Sequence, residues 1–136
     1  MSSTMVINWN INAREPSQQN MQKYISEFKK LRPYYMCDYY PLTGKENLAT
    51  DSIWLAYQMN RPEKGDGIIM AFRRVGAPEK SIRIKLKGLE KKSNYSLKDA
   101  DSAKTWIKTG EELMSGIDIS LEEKPGSLLV NYQREP

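Results

Sequence analysis

The apolar pattern of this chain changes period at Pro33, and that change limits the folds open to it. Up to that point Met21, Tyr24, Ile25, Phe28 and Leu31 recur at steps of three, one, three and three. At helical periodicity these side chains share one stripe. Gln22, Lys23, Lys29 and Lys30 fall mostly on the other side. Ser17, just after Pro16, carries a hydroxyl suited to cap the free amides of a first turn. Pro33 pushes its predecessor out of helical geometry. The spacing therefore predicts one helix over 17–32. Ahead of it, Met5 to Ile11 reads as a short extended segment.

Beyond Pro33 the repeat shortens to two. Ile53 to Asn60 is rich in aromatic and β-branched residues and reads as a strand. Arg61-Pro62-Glu63-Lys64-Gly65-Asp66-Gly67 is a turn cluster, and Ile68 to Arg74 is the strand returning from it. From Ser81 to Lys87 the alternation is clean: Ile82, Ile84 and Leu86 on one face, Arg83, Lys85 and Lys87 on the other. Such a strand has one dry and one wet side. Shorter candidates follow at Tyr95–Lys98, Thr105–Lys108 and Ile117–Leu121. After the Pro125-Gly126 turn, Ser127 to Arg134 closes the series. Short strands broken by turn signals suggest an antiparallel sandwich or barrel, and no long helical pattern separates them as βαβ units require. The expected core is Leu55, Tyr57, Ile68 or Ile69, Phe72, Ile82, Ile84, Leu86, Ile119, Leu121, Leu128 and Val130.

Composition narrows the chemistry. With 136 residues the chain is one domain's worth, too short for a complete (β/α)8 enzyme of roughly 250 residues. It has no histidine, which excludes a histidine triad, a histidine-ligated zinc and an imidazole base from this chain. Its one cysteine, Cys37, allows no internal disulfide or thiolate zinc cluster. Asp38 beside it would raise a thiol pKa, so an inert cysteine is expected. No metal or cofactor motif is present: Asp99-Ala100-Asp101 lacks the glycine and distal glutamate of a calcium loop. Gly65-Asp66-Gly67 is too short for a phosphate loop. No apolar run is long enough to span a membrane, and Met1-Ser2-Ser3-Thr4 does not open a secretory signal. Neither a membrane nor a cofactor is therefore expected as a partner.

The net charge is +4. Residues 1–50 carry six basic and four acidic side chains and the remainder fifteen and thirteen, so the excess is spread and not clustered. Arg73, Arg74, Arg83, Lys85 and Lys87 form the best nucleic-acid candidate. No aromatic residues interleave with Ser81–Lys87 for base stacking, and charged outer faces also protect a sheet from pairing with another. A solvated face is the favoured reading, and no nucleic-acid partner is expected. Glu111-Glu112 and Glu122-Glu123 are adjacent pairs that point apart on a strand. Asp99 and Asp101 sit in a turn-like stretch. A glycosidase needs two carboxyls held about 5–10 Å apart in a cleft, a spacing that nothing here dictates.

The aromatic residues offer more. Tyr34, Tyr35, Tyr39 and Tyr40 fall close together, with Trp54 and Tyr57 soon after. Tyr35, Tyr39, Tyr40 and Trp54 are the candidate carbohydrate-binding residues, as stacking platforms with hydroxyls beside them. The competing reading is a buried interface, where such amphipathic rings are enriched.

The same stretch opens a longer ordered series. Arg32-Pro33-Tyr34-Tyr35, Asp38-Tyr39-Tyr40-Pro41-Leu42-Thr43, Trp54 to Gln58, Asn60-Arg61-Pro62, Gly65-Asp66-Gly67 and Ala71-Phe72-Arg73-Arg74 follow one another. Further on come Lys87-Gly88-Leu89 with Tyr95, Thr109-Gly110-Glu111-Glu112-Leu113-Met114 with Gly116-Ile117, and Tyr132 with Arg134. In order and spacing the series resembles the C-terminal region of family 36 glycoside hydrolases, the melibiase-type α-galactosidases, over nearly all of 31–136. Cys37 stands where that family commonly has glycine, and Gly44-Lys45-Glu46 replaces its usual Pro-Tyr-Ser. In the family a (β/α)8 barrel carries both catalytic aspartates and an antiparallel β-sandwich follows it. The resemblance implies that residues 1–32 are the end of a barrel and 33–136 the sandwich. It implies no catalytic residue in this chain.

The expected fold is mainly β: an antiparallel β-sandwich preceded by one N-terminal α-helix. The expected role is that of a noncatalytic accessory domain docked on the catalytic barrel of its parent, with possible homo-oligomer contacts. Alternatives are a carbohydrate-binding module using the tyrosine cluster and, more weakly, a nucleic-acid-binding β-domain.

Overall fold

The computed structural model describes residues 18–43 and 52–136, and the chain divides into two compact units between Cys37 and Asp38. Ser17, the segment from Met5 to Ile11 and Gly44-Lys45-Glu46 lie outside the described residues.

The first unit is helical. Helix α1 spans Gln18–Leu31, and Lys29 and Lys30 sit in its last turn, where their charge complements the negative end of the helix dipole. Met21, Ile25 and Phe28 are half-buried and Leu31 is buried. Tyr24 departs from the expected stripe and is 58% exposed. The chain does not leave helical geometry at Pro33. Arg32–Met36 continues as a 3-10 helix with Pro33 in its first turn, a position where a missing N–H costs nothing. There the Phe28 and Tyr35 rings lie 6.3 Å apart.

The second unit is a β-sandwich. Strands β1 (Asp38–Pro41), β2 (Leu55–Arg61), β3 (Asp66–Arg73), β4 (Ser81–Ile84), β5 (Asn94–Asp99), β6 (Thr105–Thr109), β7 (Ile117–Ser120) and β8 (Gly126–Arg134) build it, with a short helix α2 (Gly110–Ser115) between β6 and β7. Six strands form one sheet in the order β1-β2-β3-β8-β5-β6, and β4 pairs with β7 in the other. All pairings are antiparallel. The expected fold class is the observed one.

Register decides the core. In β2 and β3, Ala56 lies opposite Ala71 and Gln58 opposite Ile69; in β8, Val130 lies opposite Ile69 and Tyr132 opposite Gly67. Leu97 of β5 adjoins Tyr132. The apolar and tyrosine side chains among these, with Trp54 and Tyr95, meet Ile84, Ile119, Leu86 and Leu113 in one cluster. Each buried Ile or Leu contributes about 1.5–3 kcal/mol. Ile82, Ile84, Ile117 and Ile119 share the inner face of the small sheet, while Arg83 and Asp118 pair across its outer face.

Two expected core positions are corrected by this register. Leu55 and Phe72 lie opposite each other on the far face of β2 and β3 and are only half-buried. Tyr57 is buried as expected, but on that same far face, with its hydroxyl 3.1 Å from Met70 Sδ. The cause is that β3 is covered on both faces, so alternation carries no contrast there.

Candidate functional site

The aromatic candidates occupy different settings. Tyr35 belongs to the 3-10 helix of the first unit, and burial raises its hydroxyl pKa. Tyr39 and Tyr40 are neighbours on β1, so their side chains leave opposite faces of the sheet. Tyr39 is 56% exposed and its ring lies 5.5 Å from that of Tyr57. Tyr40 is half-buried, with its hydroxyl 3.5 Å from Asp38 Oδ2. Trp54 is 4% exposed, belongs to the core cluster and donates its indole N–H to the Glu79 carbonyl at 3.0 Å. Within the sandwich, Tyr39, Tyr40 and Trp54 therefore present no common plane.

The basic candidates separate as well. Arg73 is buried at 4% exposure and does not share a wet face with Arg83, Lys85 and Lys87. Its Nη1 donates to the carbonyls of Leu121 and Glu122 at 2.8 and 2.9 Å. Its Nη2 donates to those of Ala77 and Pro78 at 3.4 and 3.2 Å. One guanidinium thus ties two loops to β3, a use suited to its rigid fork of donors. Its Nε is, among the described residues, a buried side-chain nitrogen with no partner. Sequence reasoning missed this role because an arginine at a strand end looks like any solvated cation.

Among the described residues, three carboxylates have shifted pKa values, each with a local cause. Glu112 closes a capping box on α2: Thr109 Oγ1 accepts from the Glu112 N–H at 3.2 Å, and Glu112 Oε2 accepts from the Thr109 N–H at 2.9 Å. That backbone hydrogen bond, with Lys108 and the Thr109 hydroxyl, lowers the Glu112 pKa. The Lys80 ammonium, 2.7 Å from Glu122, lowers that one. Burial acts to raise Asp99, but hydrogen bonds from Ser102 and from the N–H groups of Asp101 and Ser102 outweigh it and the pKa falls. Each shift stabilises an ordinary carboxylate, the opposite of what a general acid needs. Among the described residues no three His, Cys, Asp or Glu side chains gather to hold a metal. Cys37 is half-buried, with its thiol 3.2 Å from the Pro33 carbonyl.

A buried polar network is the most organised group of side chains in the sandwich. Gln58 and Asn60 are 0% and 1% exposed. Gln58 Oε1 accepts from the Lys87 N–H at 2.8 Å, and its Nε2 donates to the Lys87 carbonyl at 2.9 Å, so the side-chain amide pairs as a strand would. Its second N–H donates to the Tyr132 hydroxyl, which donates to Asn60 Oδ1, both at 2.8 Å. Asn60 Nδ2 reaches the Gly88 carbonyl at 3.3 Å. Every donor in the Gln58 amide is used, which is what burial demands.

Neighbouring residues hold the rest of this end. An added Cβ at Gly67 would lie 2.1 Å from the Tyr132 hydroxyl. Tyr95 accepts from the Glu90 N–H at 3.0 Å and meets the Tyr132 ring edge-on at 6.1 Å. Arg134 pairs with Glu90, and Arg61 grips Asp66 across the β2–β3 turn.

No protein-family model matches the chain, and no curated protein matches it. Solved structures do. The sandwich has the fold of a segment found in family 36 α-galactosidases. The galactosidase domain of the α-galactosidase-sucrose kinase AgaSK matches at 19% identity with a TM-score of 0.64. The family 36 α-galactosidases AgaA and AgaB of Geobacillus stearothermophilus match at 18% identity each, with TM-scores of 0.65 and 0.62. In all three, 86% of this chain is covered, but the chain spans only 16% of the other.

Proposed function

We infer that the chain is a noncatalytic C-terminal accessory domain of an α-galactosidase-like glycoside hydrolase, serving to dock on a catalytic barrel. On this reading residues 1–32 are the end of that barrel, and 33–136 are the sandwich that follows it. The observation that carries the reading is that the residues bearing the sequence resemblance have structural roles. Asn60, Gly67, Gly88 and Tyr132 build or make room for the buried network. Arg61 and Asp66 close a hairpin, Thr109 and Glu112 cap a helix, and Arg134 holds Glu90.

The fold match to a small part of much longer enzymes supports the same reading. The genomic locus tests it. A barrel-coding sequence is expected immediately upstream, in frame or as the adjacent gene. A locus with no barrel would count against the docking role.

A further inference from the structure

We propose that the cleft between β6 and β7 is a binding site for a neutral oligosaccharide, with Trp106 as its stacking platform. The cleft holds about 600 Å³, within the usual range for ligand sites. Ile69, Leu97 and Val130 of the large sheet and Ile117 and Ile119 of the small one give it apolar walls. Asp99, Lys104 and Lys108 add charged groups. Neither Tyr39, Tyr40 nor Trp54 lines it, and nothing in the accessory role requires it.

Two features select the ligand class. First, Trp106 is half-buried on the inner face of edge strand β6, yet its indole N–H has no partner among the described residues. A core tryptophan finds one, as Trp54 does. An indole with one apolar face in a cleft and a free donor suits a pyranose ring, which offers C–H groups on its face and hydroxyls at its rim. Second, the cleft's charges balance: Asp99 stands against Lys104, and Lys108 is paired with Glu112. A ligand with net charge would meet repulsion from one of the first two, whereas hydroxyls can donate to the carboxylate and accept from the ammonium group.

Amide NMR of the whole chain tests the proposal, with stachyose, maltotetraose and cellotetraose titrated separately and trigalacturonate as the anionic control. At least one neutral sugar should shift the Trp106 indole N–H saturably and leave that of Trp54 in place. Trp106→Ala should abolish the response and Trp106→Phe should keep part of it. Lys104 is exposed and outside the core, so Lys104→Ala reads affinity without disturbing the fold. It should weaken binding by about threefold or more, the loss of one hydrogen bond. If no neutral sugar moves the Trp106 signal, or trigalacturonate moves it equally well, the proposal fails. So it does if only an extended peptide, pairing with β7, perturbs the cleft. None of these failures bears on the accessory role.

Discussion

Gly67 and Tyr132 show how much one atom can decide here. The glycine lies opposite the tyrosine in the β3–β8 register, and the phenol fills the space a side chain would need. A Cβ at Gly67 would also come within 2.5 Å of the Met59 carbonyl. Gly67→Ala must therefore displace the Tyr132 ring and break its hydrogen bonds to Gln58 and Asn60. Overpacking and unpaired buried amides together should cost about 3 kcal/mol or more in urea unfolding. A loss under about half a kcal/mol, the size of an ordinary surface change, would mean that the network relaxes freely. Tyr132→Phe removes only the hydroxyl and should cost about 1–3 kcal/mol by stranding its two partners. The resemblance marked Gln58, Asn60, Gly67 and Tyr132 without giving them a role, and only the fold brings Tyr132 between the two amides.

Among the elements, the strand beginning at Ser81 carried the clearest signal, because one of its faces is wet. Ile84 is 1% exposed and Arg83 points outward to Asp118. Ile84→Ala should cost about 2–5 kcal/mol, read from paired urea melts, and a near-neutral result would misplace the inner face. Where both faces are covered the signal fails, which is why Leu55 and Phe72 were expected inside. Strand β1 also escaped notice. It has four residues, ends in Pro41 and lies at a sheet edge, where proline is tolerated.

Helix α2 was missed for its length of six residues, although Thr109 and Glu112 spell its capping box. Thr109→Ala should cost about 1 kcal/mol. The Glu112 carboxyl has a pKa lowered below its ordinary 4.5, so its contribution is full above that value. It is lost as pH falls through the lowered one. The stability gap between the parent and Glu112→Gln should therefore be widest at neutral pH and close in strong acid. A gap that persists in strong acid would assign the effect to the amide's shape and not to charge.

At the scale of the whole molecule, the most connected polar residues of the sandwich hold backbone segments together. Gln58 and Asn60 clamp Lys87 and Gly88, Arg73 clamps the loops at 77–78 and 121–122, and Glu90 and Arg134 join the far end. The acids whose pKa values shift do so downward, each toward a local partner. The fold is that of a segment covering 16% of α-galactosidases such as AgaA and AgaSK. The ordered motif series made that likeness readable before the fold was known. The sites were less readable, because Tyr39, Tyr40 and Trp54, close in sequence, point in different directions.

We propose that this chain is architecture and does no glycoside chemistry of its own. The most direct test is the hydrolysis of 4-nitrophenyl α-galactoside by the purified chain. No release of nitrophenol above the buffer rate is expected. A turnover that survives repurification and disappears when one carboxylate is changed to its amide would contradict it.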